Sequence, residues 1–208
     1  MGLTLASLLP DYTASLNDAR LVFGEDGSSE QSDALTRHLR TAAAALSAAK
    51  RPRTCMGSLT LVAEQASYDA VPADLLLPKV ATWGVSTLQP WQLPPGPLPI
   101  ITLAEFDGVP MLVLNPAPTA CQIATFGSAY AYYYFGAHQI TEDAGTSTVQ
   151  EKDRNLLILR AQAEAMRETA MRNAHKPVTL RDAGSGMTRN MTPAALYSAL
   201  LEEFNAAP

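Results

Sequence analysis

The chain has 208 residues, 47% of them apolar, which is enough to bury one core of ordinary size. Its formal net charge of −5 at pH 7 disfavours a protein whose main task is to neutralise nucleic-acid phosphates, because such binding depends on excess Lys and Arg. The two cysteines, Cys55 and Cys121, are too few for a secreted disulfide framework, and we expect neither a signal peptide nor a membrane-spanning segment. The composition therefore predicts a protein of the reducing cytosol with no membrane partner.

The N-terminal region is predicted to contain two helices. The first is expected over 5–21, where apolar residues recur with loose helical spacing around Pro10. The second is expected over 28–50, where Ser28 and Gln31 are spaced as a capping box. One apolar stripe with alternating steps of four and three supports the second helix, and its members are Leu35, Leu39, Ala42, Leu46 and Ala49.

The middle of the chain, 54–140, is predicted to be rich in strands, because its apolar runs are short and contain many Val, Ile and Tyr residues. Asp107-Gly108 between two apolar runs is the strongest hairpin signal. The stretch Pro90–Pro99 should be an extended loop or a sheet border, because proline lacks an amide donor. The candidate strands are 58–63, 79–83, 100–106, 110–115, 121–126 and 130–135.

Helical spacing returns over 148–175, and the polar segment 177–191 that follows reads as a flexible linker. Thr192-Pro193 then begins a short amphipathic helix. A helix of this length needs a groove, which belongs either to its own domain or to a neighbouring subunit or partner. Its candidate docking residues are Leu196, Tyr197, Leu200, Leu201 and Phe204. The stripe predicted for the long helix comprises Leu156, Leu159, Ala163, Met166 and Ala170.

These elements predict an α+β fold: a helical bundle of two long helices, a β-rich insertion, and a flexible tail that ends in a short helix. We expect a core domain over 1–176, with the insertion at 54–140, and a linker with a docking helix over 177–208.

Residues with catalytic potential are sparse. His38, His138 and His175 stand apart from any metal-ligand motif, and no nucleophile elbow or phosphate loop occurs, so we predict no catalytic site, metal or cofactor and no enzyme. Two groups of basic residues remain. They either complement the negative ends of helices or are candidate contacts with DNA in a channel or with an acidic partner. These residues are Lys50, Arg51, Arg53, Arg172, Lys176 and Arg181.

The order of segments resembles the head–tail connector, or adaptor, proteins of tailed bacteriophages and prophages. The resemblance is carried by LTRHLRTAAAALSAAKRPR (35–53), GSLTLVAEQASYDAVPADLL (57–76) and KVATWG (79–84). In the later half it continues through the helix 153–173 and the Lys176-Pro177 exit into the tail. The middle region is larger here than in the smallest adaptors.

The resemblance implies a homo-oligomeric ring, commonly dodecameric, that binds beneath the portal protein, extends the DNA channel and meets the next neck or tail protein. It also implies a location in the virion neck after assembly in the bacterial host cytoplasm, transient contact with packaged DNA, and docking of 192–204 on the portal or a neighbouring subunit. Two alternatives remain: another neck or tail-completion ring protein, or a small-ligand-binding or hydrolytic domain with a pocket around Trp83, Trp91 and Tyr132.

Overall fold

The computed structural model describes residues 2–49, 51–69, 71–85, 95–174 and 192–207. In these residues the fold is mixed α+β, with five α-helices and two three-stranded antiparallel sheets. The helices are α1 (Leu5–Leu16), α2 (Ser29–Ala49), α3 (Ala120–Phe126), α4 (Arg154–Arg172) and α5 (Pro193–Ala206). The strands are β1 (Arg53–Thr60), β2 (Ser67–Tyr68), β3 (Leu75–Ala81), β4 (Ile100–Phe106), β5 (Val109–Asn115) and β6 (Ala129–Gly136).

The chain divides into two compact units. The helical unit combines Met1–Arg51 with His138–Pro208, and the β unit is Pro52–Ala137. Each unit has its own cluster of buried apolar residues.

The core of the helical unit is formed by α1, α2 and α4. Leu8, Leu39 and Leu157 are fully buried there, and burial of each such side chain contributes about 1.5–3 kcal/mol. Thr4 begins α1 with a capping box, because its side chain accepts from the amide of Ser7 and the Ser7 side chain accepts from the amide of Thr4. A 3₁₀ helix, Asn17–Phe23, follows α1, so the predicted helix over 5–21 is continuous only as far as Leu16.

The start of α2 follows the predicted cap in part. The Ser28 hydroxyl accepts from the amide of Gln31 at 3.2 Å, whereas the Gln31 side chain accepts from the amide of Gly27 and not from that of Ser28. Farther along the chain, Glu151–Asp153 is a 3₁₀ turn and α4 begins at Arg154. The long helix is therefore shorter than the predicted 148–175.

The β unit contains two sheets whose inner faces share one core. The first sheet has the order β1-β6-β3 and the second has the order β2-β5-β4. Alternate residues of β6 point inward, so that Tyr130, Tyr132 and Tyr134 are buried with Trp83 and Leu112. The tyrosine run of the sequence therefore supplies three of its four tyrosine rings to this core.

The β4–β5 hairpin turns at Asp107 and Gly108, as the sequence predicts. Both residues have positive φ, 50° and 78°, which is the requirement of the tight turns that join antiparallel strands. Ile100 pairs with Asn115 at one end of the ladder and Phe106 with Val109 at the other.

One predicted strand is wrong. Residues 121–126 lie in α3, which begins at a capping box between Thr119 and Gln122. The apolar run is too short for its periodicity to separate strand from helix, and the cap decides the outcome. The short strand β2 was not predicted. The linker 177–191 and residues 90–94 of the proline-rich stretch lie outside the described residues.

Candidate interaction surfaces

The C-terminal helix α5 packs on its own chain, against α4. Thr192 caps it by accepting from the amide of Ala195 at 3.2 Å, and Pro193 occupies its first turn. Phe204 is 1% exposed and belongs to the core of the helical unit, with the Arg160 guanidinium 5.7 Å from its ring centroid. The tail helix thus has an anchor within its own unit.

The other predicted docking residues are only partly covered. Leu196, Tyr197 and Leu200 pack against the core but stay half-buried, and Leu201 is half-buried beside them. All five predicted residues therefore lie on one helix, which combines a buried anchor with apolar surface that still meets solvent.

The α4 stripe predicted from the sequence is buried in part, since Ala163 and Met166 are buried. Leu157, Ala161 and Ala165 lie in the core, whereas Leu156 and Leu159 are half-buried. The reason is that α4 is covered on more than one side, by α1 and α2 and by α5. A groove of about 410 Å³ runs beside the end of α5, and its lining includes Leu156, Ile158, Leu159 and Glu203.

Three of the candidate basic residues are described, and each of them pairs with a carboxylate. Arg51 lies 2.5 Å from Asp153, which is buried before α4, and Arg53 lies 3.7 Å from Asp74 in the β unit. Arg172 bonds Glu168 at 2.7 Å at the far end of α4.

The structure does not join Arg51 and Arg172 into one patch. Asp153, the partner of Arg51, directly precedes α4, whereas Glu168, the partner of Arg172, lies near its other end. A helix of 19 residues is about 28 Å long. Lys50, Lys176 and Arg181 lie outside the described residues.

A polar cluster that sequence reasoning missed joins α1, α2 and α4. Glu168 accepts from Arg37 at 2.7 Å and from Arg172 at 2.7 Å, and its Oε2 lies 2.9 Å from Nε2 of His38. On the other side of the imidazole, Nδ1 lies 3.0 Å from the hydroxyl of Tyr12. His38 and Glu168 are 130 positions apart, so no local motif could have indicated the pair.

The electrostatics of this cluster favour an ionised carboxylate beside a neutral imidazole. Burial would raise the pKa of Glu168, but hydrogen bonds from His38, Arg37 and Arg172 hold it at about 2. Burial lowers the pKa of His38 and raises that of Tyr12 well above its ordinary value. The cluster borders an open cavity of about 320 Å³, whose lining includes Thr41 and Met171. The polar groups of the cluster bond one another, so the cluster links α2 to α4 and is called the clamp below.

His138 lies where the chain re-enters the helical unit. Its Nε2 is 2.9 Å from the carbonyl oxygen of Arg51, its Nδ1 is 3.3 Å from the hydroxyl of Thr148, and its amide donates to the hydroxyl of Ser47 at 2.7 Å. These contacts fix the end of α2. His175 lies outside the described residues.

The two described residues of the predicted pocket in the β region are core residues. Trp83 is 6% exposed and donates through Nε1 to the carbonyl of Gly127 at 3.0 Å, and Tyr132 is 1% exposed. Trp91 lies outside the described residues.

Among the described residues, no three His, Cys, Asp or Glu side chains are grouped closely enough to share a metal ion. In the same part of the chain, no helix has both the length and the apolar character needed to cross a membrane.

No protein-family model matches the chain, and no curated protein matches its sequence.

Proposed function

We propose that this protein is a head–tail connector, or adaptor, subunit of a tailed bacteriophage, which forms a homo-oligomeric ring beneath the portal. The support is the resemblance carried by 35–53, 57–76 and 79–84, together with the mixed α+β fold and the partly covered C-terminal helix. In this role the protein is structural, needs no cofactor, and joins the capsid to the tail from the virion neck after assembly in the host cytoplasm.

The architecture that belongs to this proposal is a bundle built on two long helices, with a β-rich insertion and a tail that ends in a short helix. α2 and α4 supply the two long helices, with 21 and 19 residues. The Arg37–Glu168 ion pair and the shared apolar core hold them together.

The state of α5 is the observation that carries the proposal. Phe204 anchors the helix in the core, while Tyr197, Leu200 and Leu201 keep part of their apolar surface in contact with solvent. A second protein gains free energy by covering that surface, at about 25 cal/mol for each Å² of apolar area. We assign this second protein as the portal or a neighbouring subunit.

The charge of the chain suits a channel through which DNA passes. With a net charge of −5, a ring of copies repels phosphate overall. The paired states of Arg51, Arg53 and Arg172 fit contacts with packaged DNA that are transient and not tight.

The direct test is to mix the purified chain with the portal protein of the same phage. We expect co-sedimentation and, in negative-stain images, an added ring at the portal's tail-facing end. Failure to bind the portal, together with binding to a later neck component, would instead identify another neck or tail-completion protein.

The contribution of α5 is tested by Leu201→Asp, which places a charge on the half-buried edge of the helix. We expect portal binding at least tenfold weaker, because the contact would bury an unpaired carboxylate. Ser198→Asp is the matched control, since it adds the same charge at an exposed position of the same helix and should leave binding within about twofold of wild type. Equal binding by both variants would contradict the docking role.

A further inference from the structure

The outward face of the first sheet is apolar and uncovered. Register places Met56, Tyr133 and Val80 in one row across β1, β6 and β3, and Leu77 beside Phe135 in the next row. Met56, Leu77 and Val80 are 69%, 57% and 51% exposed. These five residues, with Lys79, are called the outer face below.

Lys79 is the only charged residue that the three strands place on the outer face. Its Nζ lies 5.1 Å from the centroid of the Phe135 ring, which fixes it on this side of the sheet. The other polar residues that point outward from β1 are neutral: Thr54, Ser58 and Thr60. The outer face is therefore apolar with a positive charge.

The β4–β5 hairpin forms a second uncovered surface. Every residue of 102–110 is exposed, on both faces of the two strands, and Phe106 and Val109 are 69% and 54% exposed. β2 pairs with β5 only at Leu112 and Val113, so the hairpin continues beyond the sheet as a two-stranded arm. A two-stranded ribbon with no packed face is marginally stable in water. The segment 102–110 is called the arm below.

The arm and the outer face are complementary. Glu105 and Asp107 are the only charged residues of 100–115, and both are acidic, opposite in sign to Lys79. Apart from Thr102 in the arm, the remaining side chains of both surfaces are apolar or aromatic. Because the inner faces of the two sheets share one core, the outer face and the Phe106–Val109 pair point away from each other. The arm of one copy therefore cannot cover its own outer face by a simple bend.

We infer that the arm of one copy docks on the outer face of a second copy, with Phe106 and Val109 over the Met56–Tyr133–Val80 row and Asp107, in the turn between them, beside Lys79. Such a contact joins two different surfaces of the same chain, so it is heterologous and each copy can bind two neighbours. Repetition of a heterologous contact yields a closed ring where the rotation closes. This contact rests on the proposed function for the closure of the ring. It adds the two surfaces through which neighbouring copies meet.

Two single variants each remove one of the surfaces. Phe106→Asp inactivates the arm and keeps the outer face, and Met56→Asp inactivates the outer face and keeps the arm. Both positions are exposed, so both variants should keep the circular dichroism spectrum and unfolding midpoint of the wild type. Met171→Asp is the matched control, because Met171 is 71% exposed in the helical unit.

Sedimentation velocity over a range of concentrations measures the association. We expect the wild type and Met171→Asp to self-associate alike, and each of the other two variants alone to self-associate at least tenfold more weakly. An equimolar mixture of Phe106→Asp and Met56→Asp should form a one-to-one dimer and nothing larger, because only one functional arm and one functional outer face can meet. Asp107→Lys should likewise partly restore association with Lys79→Glu.

The inference is overturned by any of three results: a wild-type chain that does not self-associate, single variants that associate as well as the wild type, or a mixture that stays monomeric. The proposed function has a separate outcome. Portal-bound rings formed normally by both variants would leave the adaptor function in place and remove the arm contact. Wild-type self-association through these surfaces without portal binding would keep the arm contact and remove the adaptor function.

Discussion

At the scale of single residues, Glu168 is the carboxylate of α4 that accepts bonds from three other side chains, those of Arg37, His38 and Arg172. Two guanidinium groups and one imidazole meet it, and its side chain is 22% exposed. Removal of its charge leaves Arg37 and Arg172 without their carboxylate, and a glutamine there offers one acceptor oxygen to three donor groups. A clamp that joins α2 to α4 should therefore be sensitive to this one position.

Glu168→Gln should lower the free energy of unfolding by about 2 kcal/mol at pH 7, measured by urea denaturation. Glu151→Gln is the control, since Glu151 is 71% exposed and forms its ion pair with Arg154, three positions along the chain; its cost should stay below about 0.5 kcal/mol. Equal effects of the two substitutions would show that the cluster is not a clamp.

The same cluster predicts a pH dependence. Because the pKa of Glu168 is about 2 in the folded protein and 4.5 ordinarily, the unfolded chain binds the proton more strongly, and stability is lost as pH falls from about 4.5 towards 2. The lowered pKa of His38 acts in the same direction and begins below its ordinary value of 6.5. Urea midpoints of Glu168→Gln should therefore fall less steeply below pH 4.5 than those of the wild type, and parallel curves would contradict the assignment.

A second single-residue constraint is Gly57 in β1, which lies opposite Tyr132. A Cβ at Gly57 would come within 2.5 Å of Cζ of that ring, and the ring is held between Tyr130 and Tyr134. Gly57→Ala should therefore cost about 1–3 kcal/mol by overpacking. Ser58→Ala, one position along and pointing outward, should cost less than about 0.5 kcal/mol. If denaturant titrations show the same free energy of unfolding for Gly57→Ala and the wild type, the rings of Tyr130, Tyr132 and Tyr134 can shift to make room.

At the scale of elements, α5 is the helix whose attachment rests on one anchor. Phe204→Ala removes that anchor, and truncation of a buried Phe costs about 3–5 kcal/mol. We expect α5 to detach locally, so that the free energy of global unfolding falls by less than this. The main effect should then be faster hydrogen exchange of the α5 amides. Protection there should fall by at least tenfold, while Glu202→Ala, at an exposed position, should leave it unchanged. Unaltered protection in Phe204→Ala would show that the half-buried residues hold the helix by themselves.

The elements that could be predicted from the sequence are those with strong local signals. Thr192-Pro193 marks the start of α5, and Asp107-Gly108 gives the β4–β5 turn because both positions require positive φ. Residues 121–126 were predicted as a strand because a run of six residues is too short to show a clear period. The α4 stripe was predicted only in part: Ala163 and Met166 are buried but Leu156 and Leu159 are half-buried, because a helix covered on several sides has no single buried face.

The interaction surfaces were predictable to a smaller extent. The candidate docking residues of α5 follow from helical spacing, but the pairing of Arg51 with Asp153 spans 102 positions and is set by tertiary packing. The same holds for the outer face, since Met56, Tyr133 and Val80 come from three separate strands. Such surfaces depend on which strands pair, and sequence pattern alone does not fix that pairing.

At the scale of the whole molecule, both units leave apolar surface exposed to solvent. The helical unit leaves part of α5 uncovered, and the β unit leaves the arm and the outer face uncovered. Uncovered apolar surface with complementary charge is typical of proteins that complete their burial in an assembly. The proposal of a ring beneath a portal gives each of these surfaces a partner.

The most direct measurement of that claim is the native mass of the full-length chain bound to its portal. The account predicts one discrete complex that contains many copies of this chain in a fixed number, with the copies lost when Phe106→Asp replaces the wild type. A complex with a single copy, or a chain that stays monomeric and unbound at every concentration, would contradict it.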